Sequence, residues 1–134
     1  MRGKIKGMNQ PLETYEQFWP YYLREHSRPG CRALHYFGTV CGMAAVVLAV
    51  IVSPWFLLVA LAVGYGPAWI GHFVVEKNKP ATFGHPLWSL VSDYRMFGLA
   101  LIGRLRPELQ QALRAAPVPV QTAAAERPST HGAA

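Results

Sequence analysis

The sequence predicts an all-α membrane protein: an antiparallel hairpin of two spans, flanked on both sides by amphipathic, interfacial helices. Three observations lead there. The stretches 33–52 and 55–75 each have the length that carries a helix across a bilayer, and neither contains Lys, Arg, Asp or Glu. Only the breaker Ser53-Pro54 separates them, so two spans there must run in opposite directions. The basic residues lie outside the pair, with Arg24, Arg28 and Arg32 before it, Lys77, Lys79 and Arg95 after it, and none in the turn. By the positive-inside rule both termini are then cytoplasmic.

Composition fits this reading. Of the 134 residues, 51% are hydrophobic and 15% are charged. A soluble hairpin apolar on all sides needs a large protein around it, and this length supplies one domain. The net charge of +6 raises the question of nucleic acid. The basic residues make no stripe interleaved with exposed aromatics, so no nucleic-acid partner is expected.

Residues 1–116 read as one membrane-embedded helical domain. Its first 11 residues are basic and loop-like, with no apolar core of a signal peptide. Tyr15, Trp19, Tyr22 and His26 then recur at helical spacing, and Pro20 either opens or kinks that helix. The aromatic cluster there suits a membrane interface and a packed core equally. SRPGCR, 27–32, reads as a turn before the first span. After the second span comes a polar loop with Pro80, and Pro86 opens a third helix, about 86–103. Its apolar stripe is Leu87, Leu90, Val91, Tyr94, Phe97 and Leu101, with Ser89, Ser92 and Asp93 opposite. Asp93 and Arg95 make a full crossing costly, so this helix is placed in the interface. A short amphipathic helix follows over 107–116, and the low-complexity tail 117–134, which holds His131, is expected to be disordered.

Four histidines carry the chemistry. His35 opens the first span and His72 closes the second, so a hairpin sets them side by side; His26 and His85 lie just outside, on the same side. Imidazole suits iron, zinc, copper and nickel, and polar groups beside lipid need a partner. Each histidine alone is better explained by a backbone hydrogen bond. Together they point to one metal site of His26, His35, His72 and His85 near the cytoplasmic interface. Glu76, one turn after His72, is expected to accept its second ring hydrogen, and Asp93 to do so for His85. Arg28, Arg32, Lys77 and Lys79 form a cationic rim suited to a substrate carboxylate or a lipid headgroup. Cys31, near His26 and His35, is left out of the site, since a lone thiol is mostly an inert packing residue. The chain has no HExxH, CxxC, phosphate loop or GxSxG elbow. The glycines of GYGPAWIG fit close helix packing.

Two blocks, YYLREHSRPGCRALHYFGT and GYGPAWIGHFVVEKNKPATFGHPLWSLVSDYRMF, resemble the small membrane proteins related to the fungal Fe(II)-dependent 2-hydroxy fatty acid dioxygenase, whose bacterial members are mostly of unknown function. The resemblance covers about 18–106. It implies an Fe(II) enzyme of fatty acid α-oxidation in a bacterial inner membrane, with dioxygen and a fatty-acyl substrate as partners and His26, His35, His72 and His85 as the matching histidines. It also supplies the choice of iron, which the donors alone leave open against zinc or another transition metal. The expected reaction shortens a 2-hydroxy acid by one carbon. The alternative is a non-catalytic membrane protein that binds metal or lipid, or scaffolds a partner. The sequence does not set the number of copies, and a homo-oligomer is compatible with it.

Overall fold

The computed structural model describes residues 12–115, so the basic N-terminus and the tail expected to be disordered lie outside the described residues. Within them the chain is helical throughout, with no strand. Helix α1 spans Tyr15–Glu25. Thr14 caps it, its hydroxyl accepting from the Gln17 amide at 3.4 Å, and Pro20 lies inside it without ending it. Phe18, Trp19, Tyr22 and Leu23 fall on one face and are buried. Between interface belt and packed core, these rings chose the core.

Their partners come from the far end of the chain. After α2 (Pro29–Ile51), α3 (Phe56–Ile70) and the short turn Ala81–Phe83 come α4 (Pro86–Leu101) and α5 (Leu105–Arg114). Met96 of α4 and Leu105 and Ala112 of α5 pack on the α1 face. The Trp19 indole donates to Glu108 at 2.6 Å, Glu108 pairs with Arg95 at 3.3 Å, and the Arg95 guanidinium lies 4.2 Å from the Trp19 ring centre. The burial of α1 is thus closed by a polar clasp at its rim.

Two helices are long and apolar enough to cross a membrane: Pro29–Ile51, and Phe56–Glu76, in which α3 continues into a π-helical turn, Gly71–Glu76. Helix α2 begins before the expected 33, because Pro29 occupies the first helical position, where its missing N–H costs nothing. The last four of the six residues expected as a turn, 27–32, are therefore helical. Helices α2 and α3 pack backbone to backbone. A side chain on Gly38 would come within 2.6 Å of the Gly64 carbonyl oxygen, and Gly42 sits against Ala60 and Gly64. Small residues permit this approach, which is how helices associate where no water drives them together.

The exterior is apolar and the interior partly polar. Val50 is 83% exposed, Trp55 74% and Leu87 75%. On α4 the stripe of Leu87, Leu90, Val91, Tyr94 and Leu101 points outward, while Ser89 and Ser92 are buried. That distribution is the reverse of a helix packed in water.

Candidate metal centre

Three histidines from three elements meet inside the molecule. His26 caps the C-terminus of α1, His35 lies in the second turn of α2, and His72 lies in the π-helical turn after α3. All three are buried. The His35 Nε2 lies 3.1 Å from that of His26 and 3.2 Å from that of His72.

The Nδ1 atoms decide what this closeness means. His26 Nδ1 lies 2.6 Å from the Tyr22 carbonyl oxygen, which can only accept. His35 Nδ1 lies 2.8 Å from the Asp93 carboxylate, and His72 Nδ1 2.8 Å from the Asn78 Oδ1. The Asn78 amide is fixed in that sense because its Nδ2 donates to the Glu25 carbonyl oxygen at 3.1 Å and carboxylate at 2.8 Å. Each Nδ1 therefore donates, and with the rings neutral each presents a bare Nε2 lone pair to the other two. Such a trio has no hydrogen to share and repels itself unless a cation sits among it. Burial, then the neighbouring His35 and His72, hold His26 well below the ordinary histidine value, so it stays neutral and able to ligate.

The distances fit a metal ion. Two nitrogens bound about 2.1 Å from one ion are about 3.0 Å apart at a right angle and about 3.4 Å at a tetrahedral one. The observed 3.1 and 3.2 Å lie between. Cys31 completes the group: its Sγ and the three imidazoles offer donor atoms all within 4.8 Å of one another, and all four residues are buried. A buried three-histidine, one-cysteine set of this kind can hold a metal ion. Gly71 makes room for the thiol, since a Cβ there would stand 3.0 Å from the Cys31 Sγ.

Local structure explains how His72 is aimed. The π-helical turn ends at Lys77, whose left-handed φ of 58° folds the chain back. Asn78 then reaches His72 twice, its amide donating to the His72 carbonyl oxygen at 3.0 Å and its side chain meeting the ring. Asp93 also accepts from the Tyr22 hydroxyl, and the Tyr22 ring stacks on His26 at 4.0 Å. Burial and the Asp93 charge raise the Tyr22 pKa well above its ordinary value, so that hydroxyl keeps its proton and donates.

Several expectations are changed by this geometry. His85 lies outside the group; its ring stacks on Trp88 at 4.7 Å and meets Phe18 edge-on at 5.4 Å. Asp93 serves His35, not His85. Glu76 does not meet the His72 ring. It accepts from the Arg28 amide at 2.5 Å and the Ser27 hydroxyl at 3.2 Å, tying the end of the π-helical turn to the start of α2. Arg32 is engaged with backbone, donating to the carbonyls of His26 and Ser27 at 2.8 and 2.7 Å, so it closes the α1–α2 corner. Arg28 lies 3.9 Å from Glu76 with its side chain 61% exposed, and Lys77 and Lys79 are exposed. Cys31, set aside in the sequence, and Asn78 and Tyr22, never singled out for the site, are the residues that sequence reasoning missed. Cys31 had a signal: it stands four residues before His35, on the same face once the helix starts at Pro29.

A cavity of about 340 Å³ begins at His35 and Asp93 and extends between α2, α3 and α4.

A family model described as 2-hydroxy-palmitic acid dioxygenase Mpo1-like matches residues 12–105. No curated protein and no solved structure matches the chain.

Proposed function

Because the chain belongs to the 2-hydroxy-palmitic acid dioxygenase Mpo1-like family, we propose that it is a membrane-bound, metal-dependent dioxygenase of 2-hydroxy fatty acids. The observation that carries this reading is the trio of imidazoles with every Nδ1 bonded to an acceptor and every Nε2 turned inward. In this reading His26, His35 and His72 hold the metal, with iron(II) the choice that the resemblance to the fungal Fe(II)-dependent enzyme implies. Such an ion, when bound, would act as a Lewis acid toward the hydroxyl and carboxylate oxygens of the substrate and would supply the redox chemistry that activates dioxygen. The overall change cleaves the C1–C2 bond. It balances as 2-hydroxy acid plus dioxygen giving the acid one carbon shorter, carbon dioxide and water.

The chain's own residues set up that chemistry. Tyr22 O, Asp93 and Asn78 hold the three rings in one tautomer and orientation. The Tyr22 ring and the aromatic core around it keep water from the His26 side. Exposed Lys77, Lys79 and Arg28 supply positive charge near the approach to the site, for a carboxylate or headgroup.

A bilayer is the solvent that suits the outward apolar faces of α2, α3 and α4. In this reading α2 and α3 form an antiparallel hairpin, supported by the pairing of Gly38 with Gly64 and Gly42 with Ala60. Both termini are cytoplasmic, and Ser53→Cys in intact cells labels with an impermeant maleimide above the parent background; labelling only after lysis refutes the orientation.

Cys31 favours one second reading. Four protein donors close a tetrahedral shell, as in structural zinc sites, and leave no position for substrate. That protein would bind metal without catalysis. One experiment separates the two. The detergent-purified protein is assayed for bound metal and for oxygen consumption with 2-hydroxy-palmitic acid, with the shortened acid identified by mass spectrometry. Iron-dependent turnover that survives Cys31→Ser supports the dioxygenase. Stoichiometric zinc, no oxygen uptake and loss of metal in Cys31→Ser support the structural site.

A further inference from the structure

The cavity beside the histidines is polar at one end and apolar along the rest. His35, Thr39, Tyr65, Asp93 and Tyr94 line one end; Val46, Leu57, Ala60 and Leu61 line the other. Between them the wall is backbone, at Gly38, Gly42 and Gly64. Helix α4 covers only the polar end, through Leu90, Asp93 and Tyr94. At the far end Val46, Leu57 and Leu61 are themselves exposed, so the cavity opens sideways there.

We propose that this cavity is the seat of a single acyl chain, entered laterally from the bilayer, and that Val46 and Leu57 at its far end gauge the chain's length. The proposal rests on the dioxygenase reading for its choice of head group and on the cavity alone for the tail. Three features support it. The polarity gradient is that of a single-chain amphiphile, with hydroxyl, imidazole and carboxylate groups confined to the end that touches His35. Its direction matches a fatty acid in one leaflet, since His35 lies near the start of α2 and Val46 well inside the apolar helix. Its length also fits. From His35 to Val46 is 11 residues, about 16 Å at 1.5 Å rise per residue, which accommodates about 13 carbons of an extended chain with ~1.5 Å bonds. A chain of the palmitic class thus fills the cavity and protrudes slightly, whereas an eight-carbon chain does not reach the gauge. The glycines matter here as well as in packing: with no side chain, Gly42 and Gly64 leave a flat wall along which methylenes lie.

The test uses the full chain in lipid nanodiscs, loaded with iron(II) under argon. The probe is 2-hydroxy-palmitic acid carrying a diazirine at its terminal carbon. Irradiation is expected to label Val46, Leu57 or Leu61, and excess unlabelled 2-hydroxy-palmitic acid to suppress it. Label spread over outward residues such as Val50 and Leu58, uncompeted, overturns the proposal. A second measurement uses Val46→Trp and Leu57→Trp, both at exposed positions. Their affinity for 2-hydroxy-palmitic acid should fall about tenfold while that for 2-hydroxyoctanoic acid and the metal content stay unchanged. Equal loss for both acids, or none for either, overturns the gauge. The labelling is repeated on metal-free protein. A competed footprint there, with no turnover in the loaded protein, upholds the acyl seat and refutes the dioxygenase reading. A scattered footprint with normal turnover does the opposite.

Discussion

Asn78→Ala separates two accounts of how His72 is held. The side chain makes three hydrogen bonds: to the His72 ring at 2.8 Å, and to the Glu25 carbonyl and carboxylate at 3.1 and 2.8 Å. At about 1 kcal/mol for each neutral bond and somewhat more for the carboxylate, their loss costs about 3–4 kcal/mol of stability. The metal feels a different part of the change. Without an acceptor at Nδ1, the His72 proton is free to move to Nε2, and losing such a supporting group weakens metal affinity by about 10–100-fold, or 1.4–2.7 kcal/mol. Glu76 makes no hydrogen bond to the ring, its carboxylate accepting from Ser27 and Arg28, so Glu76→Gln should hold metal within about twofold of the parent chain, below the range for lost support. The assay is competition with a chromogenic chelator in detergent at pH 7.5. Asn78→Asp is the control for folding: it keeps an acceptor for His72 but loses the donors to Glu25, so affinity should recover while thermal stability does not. Parent-like affinity in Asn78→Ala, or a tenfold loss in Glu76→Gln, refutes the reasoning and restores Glu76 as the orienting group.

Three further outcomes follow from the same geometry. His85→Ala should keep stoichiometric metal while His26→Ala, His35→Ala and His72→Ala each lose it, as measured by elemental analysis of the purified proteins; metal loss in His85→Ala on a folded chain brings that ring back into the site. Gly38→Ala should destabilise the helix pair by about 1–3 kcal/mol in thermal unfolding, because its Cβ would meet the Gly64 carbonyl, whereas Gly64→Ala, with nothing nearer than 4.0 Å, should not. The metal-free protein should lose stability as pH falls through about 6.5, since the unfolded His26 takes up a proton there and the buried one does not; the slope from this group is at most about 1.4 kcal/mol per pH unit, and chemical denaturation at pH 7.5, 6.5 and 5.5 with and without His26→Ala checks it.

The two long apolar helices were legible because charge is excluded from lipid, and that exclusion is written in composition. The meeting of His35 and His72 was legible too, since both stand at ends that a two-helix turn brings together. What escaped was direction. His85 is close in sequence to the right region, yet it starts α4 and its ring is drawn into the aromatic stack of Phe18 and Trp88. Glu76 lies one α-helical turn from His72, yet its carboxylate is taken by the Ser27 hydroxyl and the Arg28 amide. The left-handed Lys77 after the π-helical turn returns Asn78 to the ring in its place. Asp93 reaches His35 from another helix, a contact with no local trace in the sequence. Cys31 was set aside as a lone thiol near His26 and His35; with α2 starting at Pro29 it stands one turn before His35 and joins the buried donor group.

The π-helical turn over Gly71–Glu76 also bears on how such a site tolerates changes in chain length. A π turn is what an α-helix becomes when it absorbs one extra residue without breaking. The aim of Asn78 therefore depends on a residue count as well as on side chains. Deleting Val74, whose side chain is exposed, would let the helix revert to regular winding. Everything after the deletion would turn by about 100° relative to His72 and draw back by about 1.5 Å. No ligand would be removed, yet Asn78 would lose the ring. In this chain a single-codon deletion at an outward-facing position can thus be as damaging as replacing a histidine, while a substitution at the same position is tolerated.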